Sequence, residues 1–331
     1  MILYNLKGKN LSLIESESFR LEKDIQKIIE NNTEELFGLR FMCSEFKSGE
    51  FRFDSVCFDE EEKSFVIIEY KKDYSFSIVD QGFSYLSTML QNKSDFILEY
   101  NEMFNENLKK NQVDWSQTRI IFISPSFTSH QKNSINFKNL PFELWEIKKY
   151  SNDIVSFNQF VSSSKENIND LIKNPVISNV TKEIKVYDLN DLLSDSSKDI
   201  KYLWDLLNEK ISNSNFYNTK FIDRKNYRRF CYENGVVICY INFRKNYIKL
   251  RIMGGTIYGD GTKGRNYVEL DDYKNITKKI EKVWVRYGKR HGQKEGKDPV
   301  NISYDVLIDN DKNINYIVDL LKQRYESIVI N

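Results

Sequence analysis

Only two histidines occur among the 331 residues, His130 and His291, and neither has a metal-ligand or triad neighbour in sequence. Metal centres rich in imidazole, HD-type phosphohydrolases and His-dependent HNH nucleases all need more imidazole than this. Chemistry built on carboxylates and lysine survives that exclusion. Proline and glycine are scarce, at 4 and 13 residues, which argues against low-complexity or disordered architecture. The four cysteines, Cys43, Cys57, Cys231 and Cys239, form no Cys-x-x-Cys pair. Cys57 and Cys239 lie in apolar runs, so buried thiols in a reducing compartment are expected. There is no apolar run long enough for a membrane span and no charged-then-apolar leader. A cytoplasmic protein with no membrane partner is the expectation. Formal charge nearly cancels at +1, so any surface for a polyanion has to be local.

Hydrophobic residues make up 40% of the chain and aromatics 14%, enough for more than one core. The length suggests about two domains. A Ser- and Asn-rich stretch places a linker at 151–182, between a first domain at 1–150 and a second at 183–331. In the first, Leu21, Ile25, Ile28, Ile29 and Leu36 form a helical stripe over about 17–37, stopped by Gly38. A second helix is expected over 77–92, with Ser77 and Asp80 shaped like a capping box. DFILEY (95–100), RIIFIS (119–124) and FELWEIKKY (142–150) read as strands, with a short helix after Pro125.

The chain is organised around 51–85. FRFDSVCF and SFVIIEY are rich in aromatic and β-branched residues and flank the acidic turn Asp59–Lys63. A hairpin symmetric about Glu61 and Glu62 sets Asp54 directly across from Glu69, on one face. Lys71 shares that face because side chains alternate with period two, and Lys72 does not. Facing carboxylates destabilise a hairpin unless a positive charge lies between them. A divalent cation, Mg²⁺ or Mn²⁺, answers that need, since Mg²⁺ is commonly held by one or two carboxylates.

An Asp, a turn and Glu-x-Lys at the end of an apolar strand resemble the PD-(D/E)XK superfamily of restriction-endonuclease-like nucleases, and most closely its NucS/EndoMS-type members. Asp54 sits in an Arg-x-Asp context with Arg52, and Glu69 and Lys71 form the Glu-x-Lys pair. Glu22, on the EKDIQKIIENN helix, matches the family's helical acid, and Gln81 and Tyr85 match a following Gln-x-x-x-Tyr. The resemblance implies an α/β fold, a mixed sheet with flanking helices, and a metal-dependent endonuclease acting on nucleic acid, DNA first. Asp54 and Glu69 would hold the metal with Glu22, Lys71 would stabilise charge or orient water, and Gln81 and Tyr85 would order the water or a phosphate. Nucleases that cut both strands often act as dimers, which makes a homodimer a candidate assembly. Each residue also has a plainer reading. Glu22 can be a solvated first-turn acid favouring the helix dipole, and Gln81 and Tyr85 can be packing on a half-buried helix. The whole can be a nuclease fold that binds without turnover.

The second domain reads as α+β with an antiparallel sheet: strands YRRFCYE, VVICYINF and YIKLRIM, and helices at DLNDLLSDSSKDIKYLWDLLNEKI, NITKKIEKVWVRYG and NINYIVDLLKQRYESI. Asn234-Gly235 is a two-residue hairpin turn. The domain resembles an uncharacterised one attached to such nucleases and sometimes labelled a transport domain, a role without support in these residues. Between Arg224 and Arg251 lie eight Lys/Arg against one acid, interleaved with aromatics. Arg228, Arg229, Arg244 and Lys249 are therefore candidates for a nucleic-acid surface, as is the basic run at 286–297. The loop 254–265 lacks P-loop spacing, and Asp309, Asp311 and Asn313 imitate an EF-hand without its Gly and Glu.

Overall fold

The structure, a computed structural model, describes residues 2–71, 77–136, 140–160, 175–233, 235–283 and 299–330. It divides into two compact units, Met1–Val186 and Tyr187–Asn331.

The first unit opens with a hairpin, β1 (Leu3–Lys7) and β2 (Asn10–Ile14), and a short β3 (Ser16–Glu17). Then come α1 (Glu22–Glu30), α2 (Thr33–Phe37), β4 (Arg40–Ser48), β5 (Phe51–Asp59), β6 (Ser64–Tyr70), α3 (Ile78–Gln91) and α4 (Lys93–Phe104). It closes with β7 (Arg119–Ser124), α5 (Ser129–Ser134), β8 (Phe142–Tyr150), β9 (Ile154–Phe160) and α6 (Pro175–Glu183). One mixed sheet runs β3-β8-β7-β6-β5-β4, with β9 paired to β8. β6, β7 and β8 are parallel neighbours. Every residue of β6 and of β7 is buried, the continuous apolar pattern expected of parallel strands covered on both faces. One cover joins Phe83, Leu86, Met89, Phe96 and Val180 of α3, α4 and α6 to Phe65 and Ile67. The other joins Ile25, Ile29 and Phe37 of α1 and α2 to Val66 and Ile68.

The second unit holds α7 (Leu189–Leu192), α8 (Lys198–Ser212), β10 (Thr219–Asp223), β11 (Arg228–Tyr232), β12 (Val237–Phe243) and β13 (Ile248–Ile257). β14 (Lys278–Val283), β15 (Val300–Ile308) and α9 (Ile314–Val329) complete it. Its sheet is antiparallel throughout, in the order β10-β11-β12-β13-β15-β14. The core joins Trp204 and Leu207 of α8 and Leu320 and Leu321 of α9 to Ile241, Leu250 and Val306. An α/β unit with a mixed sheet and flanking helices, followed by an α+β unit with an antiparallel sheet, is the fold class the sequence implied.

The differences are local. The expected linker is partly folded: β9 extends the sheet and α6 packs on α3 with Val180 buried. The first unit therefore ends at Val186 rather than at 150. The helix expected over 17–37 is two helices, and Glu17 belongs to β3. Gly38 ends the second at φ 69°, a left-handed conformation natural to glycine. DFILEY lies inside α4, where Phe96, Tyr100 and Phe104 recur every four residues on the buried side. KKIEKV, expected in a helix, forms β14. Asn234, residues 161–174 and the basic run at 286–297 lie outside the described residues.

Candidate active site

The hairpin register is the one the turn symmetry predicts. Asp59 pairs with Ser64 and Ser55 with Ile68, so the next step brings Asp54 opposite Glu69. The ladder ends one pair short of it. Beyond Ser55 the Asp54 carboxylate itself takes the Tyr70 amide, Oδ2 to N 3.0 Å. The end of β6 is held from its other side by β7, through the Lys71 amide and the Ile123 carbonyl at 2.8 Å. Both acidic groups thus sit on backbone fixed by two neighbouring strands.

Glu69 is 2% exposed. Its Oε1 accepts from Lys71 Nζ at 2.7 Å, Gln81 Nε2 at 2.8 Å and Tyr85 OH at 3.3 Å. Gln81 Nε2 also lies 3.0 Å from Tyr85 OH, as expected for side chains four apart on one helix face. The Ser77 side chain caps α3 by accepting from the Asp80 amide at 3.3 Å, so the first turn of α3 carries Gln81 to β6. Tyr85 is braced edge-on by Phe51 and Phe53, with centroids 5.3 and 5.0 Å away. Among the described residues, nothing donates a hydrogen bond to the buried Glu69 Oε2 or Gln81 Oε1. A buried acceptor without a partner costs on the order of 1–3 kcal/mol, so two of them beside Asp54 mark a place suited to a cation or donor.

Electrostatics agree. Burial pushes the Asp54 carboxyl up to about 7, reinforced by the Glu69 charge and opposed by the Tyr70 amide and Lys71. Burial also raises Glu69, against the pull of Lys71, Tyr85 and Gln81. Desolvation and the charge of Glu69 raise Tyr85, which stays a neutral donor. Two carboxyls that resist ionisation side by side form a site that a divalent cation would relieve.

Glu22 is the first residue of α1 and exposed. It adds only the weakest of the influences that raise Asp54. Among the described residues no group of three or more His, Cys, Asp or Glu side chains is placed to hold a metal. Asp54 and Glu69 come together; Glu22 does not close a three-carboxylate cage with them. Arg52, exposed, is engaged in an ion pair with Glu45. The Oε2 of Glu69 and the Asp54 carboxylate, whose Oδ2 holds the Tyr70 amide, would fill one or two positions of a hard cation that keeps several waters.

Sequence reasoning missed Gln26, which stands four residues before Glu30 on α1. Gln26 Nε2 donates to the Asp54 carbonyl at 3.1 Å and to Glu30 Oε1 at 2.9 Å. That same oxygen accepts from Ser44 at 2.7 Å and Ser55 at 2.6 Å, and Ser55 contacts Tyr70 OH at 3.0 Å. The network pins the backbone of Asp54 to the helix beneath it. Its only sequence signal is a polar pair flanking the apolar stripe, which resembles any surface helix.

Gly82 fixes the height of α3 above the sheet. A Cβ there would stand 2.6 Å from Cζ of the buried Phe142 ring. Gly82→Ala should therefore lift α3 and draw Gln81 and Tyr85 away from Glu69. Overpacking costs roughly 1–3 kcal/mol, against about 1 kcal/mol from improved helix propensity. The expected result is a small drop in melting temperature with a disproportionate loss of Mn²⁺ affinity by calorimetry; unchanged affinity would show that α3 does not position the site.

No family model matches the chain. A Haemophilus influenzae protein described as uncharacterized is 37% identical over 330 residues, covering 98% of this chain and 99% of that one. This chain belongs to that protein's family. Among solved structures, a repair endonuclease from Pyrococcus abyssi shares 15% identity over 43% of this chain and 63% of its own, at a TM-score of 0.23. EndoMS in its apo form shares 16% over 40% and 58%, at a TM-score of 0.24. SfsA from Pyrococcus furiosus, in complex with Ca²⁺, shares 15% over 49% and 75%, also at 0.24. The chain spans less than two thirds of the length of the two nucleases, and the likeness is partial. No helix among the described residues is long and apolar enough to cross a membrane.

Proposed function

We propose that the first unit is a metal-dependent nuclease of the PD-(D/E)XK type, related to the NucS/EndoMS nucleases, that hydrolyses phosphodiester bonds, with DNA as the expected substrate. One observation carries the reading. Asp54, Glu69 and Lys71 converge with Gln81 and Tyr85 around a buried Glu69 carboxylate, one oxygen of which has no partner among the described residues. Asp54 and Glu69 would hold Mg²⁺ or Mn²⁺, with Glu22 reaching it through water. Such an ion supplies Lewis acidity at a phosphoryl oxygen and lowers the pKa of a bound water.

The chain's own groups do the rest. Lys71 Nζ stands beside Glu69 Oε1 and can donate to a non-bridging phosphate oxygen as charge builds there. As an ammonium it stabilises charge and does not serve as the base. Gln81 Oε1 is an acceptor at hand to orient an attacking water, while its Nε2 and the Tyr85 hydroxyl keep Glu69 in one rotamer. A second reading, a nuclease fold that binds without turnover, is favoured by the lack of a third carboxylate ligand among the described residues. A cleavage panel decides between them. Purified protein with Mg²⁺ or Mn²⁺ should cut at least one of single-stranded, duplex, mismatched or branched DNA or RNA, and Lys71→Ala should not. Binding without cleavage across the whole panel would leave the second reading.

The basic strands of the second unit are proposed as an auxiliary nucleic-acid surface, with a changed membership. Arg228 does not belong to it. Its Nε pairs with Asp223 at 2.9 Å and its guanidinium lies over Phe221 and Trp204, at 4.6 and 5.3 Å from the ring centroids. It acts as a packing residue on the helix side. On the opposite face, one row across the sheet reads Ile222, Arg229, Tyr240, Arg251, Asp305, Lys278. Lys249 stands in the neighbouring row and shares Asp305 with Arg251, at 2.7 and 2.8 Å. Arg244 is exposed in the turn after β12. Replacing Arg229, Arg244 and Lys249 with Ala should flatten the salt dependence of binding by about 0.9 for each duplex phosphate that is no longer neutralised. An unchanged slope would assign this face another role.

A further inference from the structure

The hairpin β1–β2 is turned inside out. It forms a two-stranded sheet of its own, with Tyr4 opposite Leu13 and Leu6 opposite Leu11. Alternation puts those four on one face together with Ile2. That face is exposed: Ile2 72%, Tyr4 51%, Leu6 69%, Leu11 65% and Leu13 56%. The opposite face carries Leu3, Asn5, Lys7, Asn10, Ser12 and Ile14, of which Ile14 is buried and Leu3 and Asn5 are half-buried. A hairpin with a wholly apolar outer face and polar residues on its inner one is patterned for a partner, because a lone two-stranded ribbon is marginally stable in water. Contiguous exposed apolar surface on this scale marks an interaction site.

We infer that this face is the contact between two copies of the chain, packed face to face about a two-fold axis. Three features select a second copy. The patch is self-complementary, with no charged side chain among its five residues, as an isologous contact requires. Its apolar area is on the order of 600 Å² per copy, so that two copies bury roughly 1,200 Å², the lower bound of a stable interface. Its ends carry opposite charge: Lys9 is exposed in the tip turn, and Glu15 is exposed where the hairpin ends. A two-fold axis lying in the contact plane and running across the strands brings Lys9 of one copy over Glu15 of the other.

Sedimentation velocity of the full chain, from about 1 to about 100 µM, tests the inference. Wild type should form a dimer. Leu6→Asp with Leu13→Asp should be monomeric at every concentration and keep the far-UV circular dichroism of wild type, since both side chains are exposed in the monomer, while the melting temperature of wild type alone should rise with concentration. Lys9→Glu and Glu15→Lys should each weaken the dimer at least tenfold, and the two together should restore it. Hydrogen exchange of wild type gives an independent measure: amides of β1 and β2 should slow as concentration rises. A monomeric wild type, an undiminished dimer in the double Asp variant, or monomer binding to phosphatidylcholine vesicles through these residues would overturn it. Loss of cleavage bears on the nuclease proposal alone, because the dimer is read without substrate or metal.

Discussion

Asp54→Asn should lower cleavage by about a thousandfold, the scale on which losing a preorganised electrostatic group acts, and should make the metal-free protein more stable at neutral pH. The two effects have one cause. In the folded protein the Asp54 carboxyl titrates at about 7, raised by burial and by Glu69, against about 3.9 in an unfolded chain. A carboxyl with a raised folded pKa binds more protons folded than unfolded, so its cost is absent below about pH 4. The cost grows as pH rises from about 4 to about 7 and is constant above that. A shift of about three pKa units corresponds to at most about 4 kcal/mol, shared between Asp54 and Glu69 because the two carboxyls titrate as a pair. Chelator-treated wild type should therefore lose stability across that window, and Asp54→Asn should lose less of it. Added Mn²⁺ should restore wild type and leave the variant unmoved. Urea midpoints at about pH 5 and pH 8, with and without metal, measure all of this. An identical pH slope in both proteins would show that Asp54 is not the strained group.

The centre of this site was legible because its geometry is local. A four-residue turn, Glu60 to Lys63, between two runs of β-formers fixes a register, and the register alone sets Asp54 across from Glu69. Alternation then places Lys71. The observed pairs from Ser55–Ile68 to Asp59–Ser64 follow that rule. Gln81 and Tyr85 came from resemblance, and their reach to Glu69 depends on a loop that periodicity cannot draw. What the sequence hid was tertiary. DFILEY is apolar enough for a strand, and only its continuation through Tyr100 and Phe104 carries the helical period. In β14 the two-residue alternation is weak, and the strand forms because β15 offers an edge to pair with. Ser- and Asn-rich composition suggested a linker, yet β9 needs few apolar residues because it is half-buried beside β8. Arg228 reads as one more surface cation until the stacked Trp204 and Phe221 are seen beneath it. In each case the partner, absent from the local window, decides the role.

Lys71→Ala should cost a hundredfold or more in turnover while substrate binding stays within a fewfold of wild type. The backbone predicts that the fold survives. Lys71 ties β6 to β7 through its amide and the Ile123 carbonyl, a bond that alanine keeps. Its ammonium is the positive group bonded to Glu69 Oε1, at 2.7 Å, and it also draws down the Asp54 carboxyl. Without it both carboxyls lose a counter-charge, and their protons should be held to higher pH. Metal binding, which displaces those protons, should then shift its midpoint upward in pH. Lys71→Arg should rescue only partly, because a planar fork cannot reproduce a point charge against one carboxylate oxygen. Lys72→Ala is the control on register. Lys72 lies outside the described residues; on the sequence expectation of alternation, its variant should cleave like wild type. Equal loss in Lys71→Ala and Lys72→Ala, measured as single-turnover rates at saturating metal, would show that charge near the strand end matters and position does not. Loss confined to Lys71 would tie turnover to the ammonium that bonds Glu69 Oε1.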